Sequence, residues 1–533
     1  MPSGNEDYRV PPASASPDEK LDWAKTQVQG GESFLESQRA YSDIEESRDI
    51  IAGAVKEKIP RSLSKVKSNR TKRQVRDIVG TLSNIRPTWS FKTDNENYSG
   101  QASVLNKMSI AWWYNTFADR SIKETLQYGS TEGLGWVGLS WDASYYTGTR
   151  GDIRMHVYGV RQVLPYMLPA DHDIQKAYSV SIRERVPLAA VHAQFPTKAQ
   201  YVTASGSTDG LLRRATRRLQ QFAAFQSPVL SMFGGKASSS TGPGGEAWPT
   251  AELIHTYVRD PSINLTDKPV QMGEPGTNWS YDVPYIGQDI PAGFEPDGSK
   301  RYRKAVAADC KLYPFRRLIV WTETAVLSDD SSPWWHGLVP IVPFYFDKWP
   351  WEFLPFSLVR DVATLNASVN TLLRVIDDSA KVRARPPLMY DEKTISKAIM
   401  RRFDTRQEAQ TLGVDMTMGG DSIKPILPPQ YFDIPSWIPE HIAALEQRGD
   451  YLVGVQDFNA LARAKQVPGA DTIEKMQEVV GPIVQDVSRS MEQSIRGVGT
   501  LWKGLAFQFY TIKRRVQILG EAGTDDNDYD YEP

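Results

Sequence analysis

A single cysteine, Cys310, stands in 533 residues, so the chain can form no internal disulfide and no thiolate cluster for a metal. Long apolar runs are missing as well. None reaches the ~18 residues a membrane helix needs, and residues 1–7 have neither a basic n-region nor an apolar h-region. A soluble protein made in the cytoplasm, without contact to membrane, is expected. Net charge is also scarce. At −2 it exerts no global pull on nucleic acid, so any DNA contact must come from locally placed charge.

Motifs of catalysis are absent in the same way. The fragment Gly234-Gly235-Lys236-Ala237 lacks the upstream glycine and the hydroxyl of a phosphate-binding loop. There is no His-Glu-x-x-His and no Gly-x-Ser-x-Gly elbow. The six histidines (His156, His172, His192, His255, His336, His441) are scattered singly. Asp171-His172-Asp173 sets an imidazole between carboxylates, but it follows Pro169 and reads as a polar loop. Arg448-Gly449-Asp450 falls inside a helical pattern and has no expected role. These gaps predict a protein that is not an enzyme, with no catalytic residue, no cofactor and no metal.

What is present describes a globular chain of two to four domains, 40% hydrophobic and 24% charged. Fifteen tryptophans is a high number, with clusters at Trp112-Trp113, Trp334-Trp335 and Trp349 with Trp351. Buried aromatic anchors explain them better than a sugar platform.

Residues 1–18 read as a mobile arm and 19–66 as helical. Residues 61–76 hold seven basic side chains (Arg61, Lys65, Lys67, Arg70, Lys72, Arg73, Arg76) and no acid, which favours a solvated helix face over a DNA-facing patch. A helix over 101–128 and a Gly-rich stretch over 129–138 follow. Strand signals lie at 153–157, 177–183, 252–259, 317–327 and 338–346, the last with prolines that suit an edge. Residues 238–245 form a Ser/Gly-rich loop, and 260–300 are irregular.

The character changes at Pro355. Leu358, Val362, Leu365, Val369, Leu372 and Ile376 step by 4, 3, 4, 3 and 4, an apolar stripe that predicts a helix over 356–384. Arg385-Pro386-Pro387 stops it. A small mixed segment runs to Pro429, a second helix covers 439–455, and a polar loop covers 456–469. From Asp471 a helix of nearly fifty residues is expected, kinked at Gly481-Pro482. An acidic, disordered tail ends the chain.

Several stretches then become recognisable in order: Asn84-Ile85-Arg86-Pro87-Thr88-Trp89; Tyr128-Gly129 with the strand ending in Trp141-Asp142; Trp335-His336-Gly337-Leu338-Val339-Pro340; Leu365-Asn366-Ala367-Ser368-Val369-Asn370; and Gly454-Val455-Gln456-Asp457. Together with the helix–insertion–helix–loop–long-helix layout, they resemble the portal proteins of tailed bacteriophages, the head-to-tail connectors.

The resemblance implies an α+β subunit with a mixed wing over 19–354 and stem helices over 355–384 and 435–455. It places a small α/β clip at 385–434, a tunnel loop at 456–470, a long kinked helix at 471–518 and an acidic tail at 519–533, with little or no crown. It further implies a dodecameric ring at the capsid vertex of the virion, through which double-stranded DNA is packaged and ejected. Partners would be the terminase large subunit, tail and head–tail adaptor proteins, and the major capsid and scaffolding proteins.

DNA that slides through cannot be read by base, so only weak phosphate contacts are expected. The candidates are Asn459, Arg463, Lys465 and Gln466 in the loop and Arg374, Lys381, Arg383 and Arg385 on or beside the stem. Arg401, Arg402 and Arg406 are the docking candidates in the clip. The alternatives are another connector or capsid protein, or a Trp-rich carbohydrate-active protein.

Overall fold

The structure is a computed structural model. It describes residues 10–12, 14–53, 64–84, 89–93, 99–143, 151–203, 249–272, 281–294, 300–349, 352–384, 389–390, 426–427, 437–453, 482–510, 514–517 and 528–531. The chain divides into two compact units. One comprises Met1–Ile44, Ser83–Pro355 and Val487–Pro533; the other comprises Glu45–Leu82 and Phe356–Asp486. Residues 45–82 of the expected 19–354 wing fall in the second unit.

In chain order the helices are α1 (Pro17–Ser37), α2 (Ala40–Ala52), α3 (Arg70–Asn84), α4 (Ser99–Asn115), α5 (Ala118–Glu132), α6 (Leu188–Gln194), α7 (Leu358–Ala384), α8 (Trp437–Val453) and α9 (Pro482–Phe509). Strands β1 (Leu134–Asp142), β2 (Asp152–Tyr158), β3 (Val163–Tyr166), β4 (Ser179–Pro187) and β5 (Thr250–Val258) precede two small hairpins. These are β6 (Val270–Met272) with β7 (Tyr281–Val283), and β8 (Asp289–Phe294) with β9 (Lys300–Lys304). Then come β10 (Arg317–Trp321), β11 (Val326–Ser331) and β12 (Ile341–Tyr345).

The first unit is built on two antiparallel sheets, of order β12-β1-β2 and β11-β10-β5-β4-β3. Helix α1 starts cleanly, with the Ser16 side chain accepting from the Glu19 N–H at 3.2 Å and acids in its first turn. It packs on β3, and two mid-helix glycines make that approach possible. A Cβ on Gly31 would lie 2.9 Å from Leu164 Cβ, and one on Gly30 would sit in the Tyr166 ring.

Three expectations fail here, each because tertiary packing sets a turn that no local breaker announces. The helix read over 19–66 breaks at Arg39, which takes φ 56°, so that Leu35, Ala40 and Ile44 can all be buried. The helix read over 101–128 breaks at Phe117, φ 52°, and resumes as α5. The strand read over 317–327 is a hairpin, turned where the Thr322 N–H donates to the Ala325 carbonyl at 2.8 Å.

Two further readings shift. The Gly-rich stretch 129–138 is ordered: α5 runs to Glu132 and β1 begins at Leu134. Gly135 there lets β1 close on the Thr125 carbonyl, 2.7 Å from where a Cβ would stand. Residues 260–300, expected to be irregular, hold the two small hairpins.

Trp112, Trp136, Trp321 and Trp502 are buried in this unit as anchors, whereas Trp335 and Trp349 of the expected clusters are about half exposed. Trp502 of α9 is fully buried, with ring centroids of Phe91, Trp112, Tyr510 and Trp89 at 5.8, 6.0, 6.2 and 6.5 Å. The α9 stripe of Val487, Met491, Ile495, Val498, Leu501, Trp502 and Leu505 is buried. The Gly481-Pro482 kink lies outside the described residues. The helix ends at Phe509 rather than 518, and Arg514–Gln517 (β15) pairs antiparallel with Asp528–Tyr531 (β16). The tail expected to be disordered thus includes a strand. Its Asp-Tyr alternation has the period of a strand, and Asp530 stands opposite Arg515 in the register.

The second unit is helical. Helix α7 begins two residues after the predicted start, and its stripe is buried at Leu358, Val362 and Val369 and half-buried at Leu365, Leu372 and Ile376. Helix α8 packs along it through Leu445. After α7, Met389–Tyr390 (β13) pairs with Ile426–Leu427 (β14), so the chain leaves and returns at one two-stranded ladder.

Candidate functional site

Three of the sequence candidates, Arg374, Lys381 and Arg383, lie on α7. The basic run that precedes α3 does not form helix throughout. Residues 64–68 lie along α7 as an extended strap. The Ser64 N–H donates to Asp378 at 2.9 and 3.1 Å, Arg374 Nε donates to the Val66 carbonyl at 3.4 Å, and the Ser68 N–H donates to Asn370 Oδ1 at 2.8 Å.

The spacing is regular. Each two residues of strap advance past four residues of helix, one turn, in the opposite chain direction. Four residues of extended chain cover about 13 Å and eight residues of helix about 12 Å, so the two match in length. The Ser64 hydroxyl also hydrogen-bonds Asp377.

Asn69 closes the strap. Its Oδ1 accepts from the Lys72 N–H at 3.1 Å, which caps α3, while its amide donates to the Ile50 and Ile51 carbonyls at 3.0 and 2.8 Å, which finishes α2. From there α3 turns its apolar residues inward, Val75, Ile78 and Val79 being buried.

Arg70 is clamped between two acids one turn apart on α8, with Glu446 at 2.5 Å and Asp450 at 2.9 Å. Gln74 Nε2 reaches the other Asp450 oxygen at 2.8 Å. Burial works against the Arg70 cation, but these two hydrogen-bonded carboxylates raise its pKa above the ordinary value. Asp450 belongs to the Arg-Gly-Asp tripeptide, so that residue has a structural partner after all. Gly449 beside it is where Gln74 crosses, 3.0 Å from a would-be Cβ.

Two of the predicted DNA-contact residues are thereby given local partners. Arg374 is a pin of the strap. Lys381 pairs with Asp377 at 2.5 Å and Asp378 at 3.6 Å while staying 59% exposed, and its hydrogen bond, with that of Ser64, holds the Asp377 carboxyl below its usual range. Arg383 lies in the last turn of α7. Arg385, Asn459, Arg463, Lys465, Gln466, Arg401, Arg402 and Arg406 fall outside the described residues.

The strap and the Arg70 clamp were missed in the sequence because each joins residues about 300 or more positions apart. The one available signal was Glu446 and Asp450 at i, i+4 spacing.

The Asp171-His172-Asp173 cluster forms a turn. Asp171 pairs with Lys176, Asp173 Oδ1 accepts from the Gln175 N–H at 2.9 Å, and the His172 ring stands edge-on to Phe353. Among the described residues no group of His, Cys, Asp and Glu could hold a metal, and no helix is long and apolar enough to cross a membrane.

Antiparallel sheets, a tryptophan-packed C-terminal helix and a helix pair that brackets an insertion make up an α+β chain organised around long helices. The model of the phage P22-like portal protein family matches residues 60–529, and the chain belongs to that family. No curated protein matches the chain.

Proposed function

We propose that the chain is the subunit of a portal ring at the capsid vertex, with the ring serving as conduit for double-stranded DNA and as docking platform. The observation that carries this reading is the family match over residues 60–529. In this assignment α7 and α8 are the stem helices, 385–434 is the clip and 456–470 is the tunnel loop. Twelve copies close the ring. The terminase large subunit docks on the clip during packaging, tail or adaptor proteins replace it afterwards, and ATP hydrolysis stays with the terminase.

The physical case is one of fit. Long helices with a narrow apolar stripe pack on one another and leave polar faces for a channel. Asn459, Arg463, Lys465, Gln466, Lys381, Arg383 and Arg385 offer weak, sequence-independent contacts to sliding phosphates. Arg374 is the weakest of the set, since the strap engages it. Arg401, Arg402 and Arg406 offer an acidic partner face a place to dock.

The clip assignment has a direct test. Replacing residues 391–425 by a short Gly/Ser linker keeps the β13–β14 ladder. The shortened protein is expected to form rings but to lose capture of the terminase large subunit in a pull-down. Capture at the level of the full chain would remove the clip assignment.

A further inference from the structure

The strap and the outer face of α3 carry a continuous row of positive charge that the channel assignment does not use. From 64 to 84 the sequence has six basic residues and one acid, Asp77. The structure sorts the six into two groups. Arg70 points inward to Glu446 and Asp450. Lys65, Lys67, Lys72, Arg73 and Arg76 are exposed.

Lys65 and Lys67 alternate with the three residues whose backbone groups are pinned to α7, so the strap holds both at fixed places on the surface. Lys72 and Arg73 each neighbour Arg76 on the exposed side of α3, at spacings of four and three. The sole acid there, Asp77, reaches Arg73 only at 3.6 Å, with the arginine 71% exposed, a pair too solvated to neutralise it.

We propose that these five side chains form a second phosphate-contact surface for double-stranded DNA, apart from the stem and loop residues. The reading rests on the portal assignment for the identity of the polyanion. Followed along the chain the charges span about 25 Å, with extended chain at about 3.3 Å per residue to Arg70 and helix at 1.5 Å from there to Arg76. That length matches about seven phosphates of one strand at 3.4 Å each.

The chemistry favours DNA over an acidic protein face. The charges are exposed and follow one another along the strap and one side of α3. Such a surface takes a regular polyanion in any register, as a sequence-blind contact requires. Arg70 has the geometry of the opposite case: it is half-buried and committed to two carboxylates.

The test is binding of a short mixed-sequence DNA duplex by the full-length protein across a series of salt concentrations. The combined variant Lys65→Gln, Lys67→Gln, Lys72→Gln, Arg73→Gln and Arg76→Gln should bind about tenfold or more weakly near 0.1 M salt. Its log Kd–log salt slope should flatten by about 0.9 for each side chain that meets a phosphate. The pair Lys72→Gln and Arg76→Gln, on a helix face that carries no packing, should flatten it by about 1.8 with an unchanged thermal midpoint, which separates contact from folding.

Unchanged affinity and slope in both variants would overturn the proposal, as would a wild-type protein that binds no duplex at low salt. Loss of assembly or of terminase capture with DNA binding intact would overturn it too, in favour of a protein interface. Assembly mass of the wild type, measured alongside, reports on the portal reading separately.

Discussion

Arg317→Ala is expected to destabilise the first unit by roughly 3–5 kcal/mol, the cost of leaving a buried ion network without its centre. The guanidinium is 1% exposed. It grips Asp329 through two bonds of 2.6 and 2.7 Å, Asp260 at 3.0 Å and the Pro11 carbonyl at 2.6 Å, and it lies 5.0 Å over the Tyr313 ring. Lys20 of α1 reaches the same Asp329 at 2.7 Å. One side chain thus ties the N-terminal segment and α1 to β10, β11 and the end of β5.

Removing it leaves Asp260 buried without a cation and Asp329 with Lys20 alone, and that penalty, rather than the attraction lost, sets the size of the effect. Arg317→Lys keeps a charge but not the fork, so it should recover only part of the loss.

The same network predicts a pH dependence. Burial pushes the Asp329 pKa up, but the hydrogen bonds and charges of Arg317 and Lys20 outweigh it, and the net shift is downward. A depressed folded pKa contributes stability that is complete above the unfolded value of about 3.9 and is lost as pH falls through the folded one. In Arg317→Ala that lowering weakens and burial counts for more. The deficit against wild type should therefore be largest near neutrality and should shrink as pH falls below about 4. Denaturant midpoints across that range measure it. A deficit that grows on acidification would contradict the assignment.

Trp502→Ala is expected to cost a comparable amount, roughly 3–5 kcal/mol. The indole is fully buried where α9 meets Trp89, Phe91, Trp112 and Tyr510, and Phe91 stacks on it at an interplanar angle of 19°. Gly499, one turn earlier, lets the Trp89 ring approach to 3.1 Å of a would-be Cβ. A cavity of this size lined by flat rings cannot collapse well, so the loss should sit in the upper half of the range for an aromatic truncation. Near-UV circular dichroism should lose the part of its tryptophan signal that this ring cluster contributes in the same variant. Trp502→Phe, which keeps a ring in place, should recover much of both. A loss under about 1 kcal/mol in Trp502→Ala would mean that α9 is held by other contacts.

What could be read in the sequence followed from local periodicity. The stripe from Leu358 to Ile376 placed α7 within two residues of its observed start, but of the clustered tryptophans Trp112 is buried while Trp335 and Trp349 are about half exposed. Non-local causes escaped. Nothing in Gln38-Arg39 or Thr116-Phe117 breaks a helix, and both turns exist because the residues on either side are buried against the sheets. The basic run before α3 was legible as charge. Its division into an extended strap and a helix depends on Asn370, Arg374 and Asp378, some 300 positions away. Arg70 looked like one more cation of that run until Glu446 and Asp450 took it inward.

Electron microscopy of the purified full-length protein, joined to its mass in solution, tests the central claim most directly. The account predicts rings with a central hole and a mass near twelve subunits, formed by the protein alone or on addition of scaffolding protein. A species that stays monomeric under both conditions and binds oligosaccharide instead would contradict it.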